Sequence, residues 1–282
     1  MPDAAELSAK RTALEGAIRR LERTLVAYSG GVDSAFLAWA AYQVLGKDML
    51  AVIADSPSLA RAQLADAISF AGEQGIPLKV LATAELDRPE YARNDASRCF
   101  HCKDELFGLM EEFRGQQGFD SIAYGVNLDD QGEFRPGQVA ASRHHVSTPL
   151  VEAGLCKQEI RELARACGLR IWDKPASACL SSRIEYGRPV TREVLGAVEQ
   201  GEDFLHSLGF RQVRARYHGE MVRIEIAREE LPRALTAEMA AAFTPFFKSL
   251  GFKFVTLDLE GFRSGSMNHL LPADELTGKT PK

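Results

Sequence analysis

Leu25-Val26-Ala27-Tyr28-Ser29-Gly30-Gly31-Val32-Asp33-Ser34 is the stretch from which the fold can be read. An apolar run rich in β-formers stops at Ser-Gly-Gly, and Asp33-Ser34-Ala35-Phe36-Leu37-Ala38-Trp39-Ala40 continues with a helical pattern. That order predicts a strand, a tight glycine turn and a helix N-terminus. Such a turn aims several backbone N–H groups at one point, with the positive end of the helix dipole behind them, so a phosphate is the expected guest. Gly30 and Gly31 let the backbone approach it, because no Cβ intervenes. The hydroxyls of Ser29 and Ser34 add donors. Asp33 beside an anion calls for a cation, and Mg2+ is the one expected. No lysine follows the glycines and no G-x-G-x-x-G is present, so this is neither a lysine-bearing P-loop nor a dinucleotide fingerprint.

The same strand-then-helix rhythm continues outward. A helical pattern over about 6–22 precedes the loop. Met49-Leu50-Ala51-Val52-Ile53-Ala54 is a continuous apolar run, as in a parallel strand buried on both faces, and a helix over about 59–74 follows. Residues 77–82 and 120–127 predict two further strands. Alternating strands and helices give an α/β fold with a doubly wound parallel sheet. Ligands of such sheets bind beyond the carboxyl ends of the strands. Ser29–Ser34, Asp55-Ser56 and Gly125-Val126-Asn127 all fall at those ends. The reading therefore gathers them into one nucleotide pocket, with Ser56 at the adenosine and Gly125 packed close to it. In the polar loop that follows, Asp129 or Asp130 is a Mg2+ candidate and Arg135 a phosphate candidate. Farther on, Cys156 and Cys167 lie eleven residues apart across a helical pattern and read as small core residues on its buried face.

The character of the chain changes towards its end. Thr191 caps a predicted helix, residues 211–217 and 221–226 alternate as a hairpin across His218-Gly219-Glu220, and a helix and a strand follow. The expected division is a nucleotide-binding domain over 1–184 that carries the cysteine loops, and a smaller C-terminal α+β domain over 185–282.

Composition bounds the function. Of 282 residues, 45% are hydrophobic and 26% charged, which is ordinary for a globular protein. The net charge of -5 argues against a nucleic-acid partner. No apolar run reaches about 18 residues and no secretory pattern opens the chain, so no membrane partner and a cytoplasmic location are expected. In a reducing compartment the five cysteines read as thiols, ligands or nucleophiles. Cys99-Phe100-His101-Cys102 has three readings: half of a zinc site, a redox pair, or part of an iron–sulfur site. A zinc knuckle needs two further ligands. A thioredoxin-type pair would normally open a helix directly after the first strand, and this one comes much later. Cys179 sits in Lys174-Pro175-Ala176-Ser177-Ala178-Cys179-Leu180-Ser181-Ser182-Arg183, a Ser- and Arg-bearing loop unlike the setting of a core thiol. Lys174 and Arg183 would favour its thiolate.

Ser29-Gly30-Gly31-Val32-Asp33-Ser34 resembles the PP-loop of the ATP pyrophosphatases, of the adenine nucleotide alpha hydrolase-like fold, which cut ATP between its α and β phosphates and adenylylate a substrate. Residues 174–183 resemble the cysteine loop of the LarE family of ATP-dependent sulfur insertases. Asn127-Leu128-Asp129-Asp130, Arg135-Pro136-Gly137 and Glu152-Ala153-Gly154-Leu155 carry the same resemblance. It implies ATP as cosubstrate and pyridinium-3,5-biscarboxylate mononucleotide as the small-molecule substrate, whose carboxylates become thiocarboxylates for the nickel-pincer nucleotide cofactor. It also implies a homo-oligomer and hand-over to a nickel-inserting enzyme. Single-cysteine members give up the sulfur of the cysteine matching Cys179. The three cysteines here, Cys99, Cys102 and Cys179, resemble the branch in which they hold a 4Fe-4S cluster with one iron open. Ser182, Arg183, Arg214 and Arg216 are the implied substrate contacts, the last two as a clamp for the substrate phosphate, with Glu202 and Glu225 as weaker candidates. Two other enzyme classes share parts of this pattern. A tRNA-thiolating enzyme would need a basic RNA surface, and an ammonia-dependent amidating synthetase would need no cysteine trio.

Overall fold

The computed structural model describes residues 3–131, 136–175, 177–263 and 267. The chain divides into two units, Met1–Ala84 with Cys99–Ser177 and Glu85–Arg98 with Ala178–Lys282. The second unit therefore takes in Glu85–Arg98 and the residues from 178 onward, as well as the segment from 185 set apart on the sequence.

The first unit is built on four parallel strands, β1 (Thr24–Ala27), β2 (Met49–Asp55), β3 (Leu78–Ala82) and β4 (Ser121–Tyr124), in the order β3-β2-β1-β4. Successive strand residues point to opposite faces, so β1 feeds two cores. Val26 joins Leu14 and Ile18 of helix α1 (Ala4–Arg19), Phe36 and Leu37 of α2 (Val32–Leu45), and Leu64 and Phe70 of α3 (Arg61–Glu73). Leu25 and Ala27 join Leu106, Phe107 and Met110 of α4 (Arg98–Gln117) and Ala140 and Ala141 of α5 (Pro136–Arg143). Helices thus cover both faces, as the doubly wound pattern requires. The strand order reverses direction between β1 and β4, and ligands of such sheets bind at that switch point.

Three local features differ from the sequence reading. Cys156 and Cys167 flank α6 (Lys157–Ala166) rather than lie within it, and Cys167 packs against the core as expected. They are its N-cap and C-cap, half-buried, because Glu159 closes a capping box on the Cys156 N–H and starts the helix one residue later. The polar loop after β4 holds a 3-10 turn at Leu128–Asp130, capped by Asn127, and α5 begins soon after it. The pair Cys99 and Cys102, which the sequence left without a secondary-structure assignment, opens α4.

The second unit carries α7 (Arg192–Ser207), the antiparallel strands β5 (Val213–His218) and β6 (Met221–Ile226), α8 (Ala237–Ser249) and β7 (Phe254–Leu257). Strand β7 pairs parallel with β6, giving the order β5-β6-β7. Thr191 caps α7 by accepting from the Val194 N–H. Leu205, Phe210, Val213, Ile224, Phe243 and Phe247 form this unit's own core.

Candidate active site

The Ser29–Ser34 loop follows β1 at the switch point, and its conformation rests on its own side chains. Ser34 Oγ accepts from the Ser29 N–H at 3.1 Å and donates to the Gly31 carbonyl at 3.1 Å, with Ser29 Oγ 2.9 Å away. Both hydroxyls are thus engaged in shaping the loop that they were expected to serve as phosphate donors. Gly30 has a φ of 71°, and a Cβ there would fall 2.5 Å from Ala67 Cβ. Gly125, just beyond β4, is required for another reason: a Cβ would fall 2.8 Å from the backbone N and Cα of Ser34. It lets the β4 end pack directly on the start of α2. Its closest neighbour is the backbone of Asp33 and Ser34.

Two lysines flank this loop. Lys157, the first residue of α6, sets Nζ 2.6 Å from Asp33 Oδ2. Its backbone N–H donates to Asp129 Oδ2 at 2.8 Å, and the Leu128 N–H donates to the Leu155 carbonyl, so α6 is stitched to the segment after β4. The other Asp33 oxygen, Oδ1, is buried and has no hydrogen-bond partner among the described residues. Lys174 donates to the Gly30 carbonyl at 2.8 Å and to Asp66 Oδ2 at 2.5 Å. Asp66 also pairs with Arg170, and the two cations hold its carboxyl below the usual range although burial opposes them. Ser56 is buried after β2, and its Oγ accepts from the Ser58 N–H. Arg135 lies outside the described residues.

Cys99 and Cys102 stand three residues apart in the first turns of α4, so they share one side of it. Cys99 is exposed and Cys102 half-buried. Lys103 places its ammonium 4.8 Å from the centre of the Tyr124 ring at the end of β4. Gly137 lies against the Lys103 side chain, where a Cβ would come within 3.1 Å. The cysteine pair therefore stands at the same carboxyl-terminal edge of the sheet as the Ser29–Ser34 loop.

In the second unit, three arginines hold the carbonyls of the Cys179 loop. Arg183, only 1% exposed, grips Glu202 with two nitrogens at 2.9 and 3.0 Å and donates to the carbonyls of Ala178 and Cys179. Arg216 donates to the Ser182 carbonyl and to Glu225. Arg98, the residue before Cys99, donates to the Ser181 carbonyl and to Asn94. The Cys179 thiol lies 3.0 Å from Ser181 Oγ. Arg183 reaches Cys179 through its backbone carbonyl, and Lys174 bonds to Asp66 and Gly30.

No family model matches the chain. An uncharacterised protein of Synechocystis sp. is 40% identical over 251 residues, spanning 89% of this chain and 94% of that protein. The pyridinium-3,5-bisthiocarboxylic acid mononucleotide synthase of Lactiplantibacillus plantarum is 33% identical over 273 residues, spanning 96% of this chain and 98% of that protein. The chain belongs to the LarE family. An uncharacterised protein of Methanocaldococcus jannaschii is 28% identical over 86% of the chain.

In this LarE chain the arginines implied as substrate contacts fall into two classes. Arg183 and Arg216 are buried and each is neutralised by a carboxylate, Glu202 and Glu225. Arg214, on the same face of β5 as Arg216, has no carboxylate partner among the described residues. It stacks over the Phe262 ring at 5.0 Å and donates to the Val213 carbonyl. Burial, with the charges of Arg183 and Arg216 nearby, pushes it down to about 10. A half-buried cation with no carboxylate bonded to it among the described residues is a ready anion site, even with Glu202 and Glu225 in its field.

The donor chemistry fits a magnesium ion at Asp33, whose buried Oδ1 has a lone pair to offer. Cys99 and Cys102 suit two ligand positions of an iron–sulfur cluster. Among the described residues, no group of three or more His, Cys, Asp or Glu side chains stands together as a metal site. The sequence reading missed Lys157 and Asp66. Lys157 lies 124 residues from the Asp33 it pairs with, and Asp66 reaches the loop only through Lys174.

Proposed function

We propose that the chain is an ATP-dependent sulfur transferase acting on pyridinium-3,5-biscarboxylate mononucleotide. The observation that carries this reading is a Ser-Gly-Gly-Val-Asp-Ser loop at the β1–β4 switch point of a chain that aligns end to end with the L. plantarum synthase. A carboxylate is a poor electrophile, and adenylylation gives it AMP as leaving group. In the proposed reaction a substrate carboxylate oxygen attacks the α-phosphorus of ATP and pyrophosphate departs. The N–H groups at the start of α2 take up the developing charge. Asp33 Oδ1 would hold Mg2+, which supplies Lewis-acid stabilisation of the phosphates when bound. A sulfur nucleophile then attacks the acyl carbon and AMP leaves. Arg214 receives the phosphate of the mononucleotide. Arg183 and Arg216 keep the Cys179 loop in shape around Ser182.

Cys99, Cys102 and Cys179 are proposed as ligands of a 4Fe-4S cluster, which would supply a sulfide nucleophile when bound. In a second reading Cys179 attacks the adenylate itself. Its thioester then loses Cα–H to a base and breaks the Cβ–S bond, leaving dehydroalanine and the thiocarboxylate. Cys99→Ala separates the two. It is expected to abolish product if a cluster carries the sulfur, and to leave one turnover per chain if Cys179 does.

The test of the function is purified protein with ATP and the mononucleotide. Thiocarboxylate should appear by mass spectrometry together with AMP and pyrophosphate. ATP consumption with ammonia as the productive nucleophile would overturn the reading in favour of amidation. Arg214→Gln is expected to raise KM for the mononucleotide about tenfold while the melting temperature holds. An unchanged KM removes Arg214 from the substrate site.

A further inference from the structure

The Ser29–Ser34 loop lacks the lysine that P-loops carry, yet a triphosphate demands cations. Two lysines stand beside it, and the structure separates their roles. Lys174 is fixed twice, by the Gly30 carbonyl and by Asp66, and Asp66 is itself held by Arg170. It braces the loop by holding the Gly30 carbonyl. Lys157 is different. Among the described residues its ammonium makes one ion pair, with Asp33; its side chain is 33% exposed and that of Asp33 17%. The lysine end of this pair reaches solvent, so its ammonium can exchange the carboxylate for another anion. Its backbone is anchored by the Asp129 carboxylate and by the start of α6, so the flexible four-carbon stem alone must move. Asp33 Oδ2 is shielded by this lysine while Oδ1 is left buried and unpartnered.

We propose that Lys157 is the phosphate-binding lysine of this site, supplied from α6 rather than from the loop. Without nucleotide it neutralises Asp33 and keeps that carboxylate from repelling an incoming anion. When ATP and its magnesium ion bind, the Lys157 ammonium turns from the carboxylate to the phosphate oxygens, and Asp33 is freed for the cation. The proposal rests on the ATP-dependent reading above and assigns a residue to it.

The experiment is equilibrium binding of ATP to the full chain, in Mg2+ and in EDTA. Lys157→Met is expected to weaken ATP binding about ten- to a hundredfold in both conditions, and Lys157→Arg to recover most of it. Asp33→Asn is expected to weaken binding only in Mg2+, and to leave it equal or tighter in EDTA because a negative charge is gone. Lys157→Met that binds ATP like wild type overturns the proposal, as does a loss that Lys157→Arg does not restore in protein with unchanged circular dichroism. Wild-type protein that binds ATP but makes no thiocarboxylate refutes the sulfur reaction while Lys157 keeps its role. Wild-type protein that binds no ATP overturns both.

Discussion

Cys179→Ala protein is expected to release AMP and pyrophosphate from ATP in the presence of the mononucleotide, and to form no thiocarboxylate. The two half-reactions use different groups. Adenylylation needs the Ser29–Ser34 loop, whose hydrogen bonds run through Ser29, Gly31 and Ser34 and involve no cysteine. Sulfur delivery needs a thiolate or sulfide, and alanine offers neither. Loss of a nucleophile lowers product formation by about four orders of magnitude or more. The fold should tolerate the change, because Cys179 is only half-buried and its carbonyl, which Arg183 holds, remains. The AMP formed without sulfur comes from hydrolysis of the stranded adenylate. Chromatography of the nucleotides and mass spectrometry of the pyridinium product read the two halves separately. Thiocarboxylate at the wild-type rate from the Cys179→Ala protein would exclude this cysteine from both modes of sulfur transfer.

Glu225→Ala is expected to lower the stability of the protein by about 3–5 kcal/mol, the range for breaking a buried ion pair on one side. Glu225 is fully buried and accepts from Arg216 at 2.8 Å and from Arg223 at 2.9 Å. Removing it leaves Arg216, itself 5% exposed, without that carboxylate. Arg223 retains Asp258, so the penalty falls chiefly on Arg216. Arg216 also holds the Ser182 carbonyl, and the Cys179 loop should therefore loosen with the fold. Urea unfolding followed by circular dichroism gives the stability change, and proteolysis near Ser182 reports the loop. A loss below about 1 kcal/mol would place Glu225 with solvent-screened surface pairs and contradict its burial. The exposed Arg61–Asp55 pair is the internal comparison, and Asp55→Ala should sit in that lower range.

The arrangement around Arg214 follows from the same bookkeeping of charge. Glu202 pairs with Arg183 and Glu225 with Arg216, and among the described residues Arg214 has no carboxylate bonded to it. Alternation along the strand placed Arg214 and Arg216 on one face, but alternation carries no information about which of them has a carboxylate facing it. A symmetric clamp was the natural reading of the pattern, and the packed carboxylates make the pair unequal.

What the sequence by itself determined is local. The glycine turn, the helix start behind it, the apolar parallel strands and the alternating hairpin are each encoded within about ten residues, where backbone preference and periodicity act directly. The cysteine-bearing loop and the pair at Cys99 and Cys102 stand out for the same reason. What the tertiary structure decided is which distant groups complete these motifs. Lys157 meets Asp33 across 124 residues, Lys174 meets Gly30 across 144, and Gly125 is a glycine because α2 begins against it. Charges pair, and backbones touch, wherever packing of the two sheet faces brings them. Sequence spacing does not encode such contacts, so the glycine loop was legible from its own residues and the lysine that meets Asp33 only from the fold.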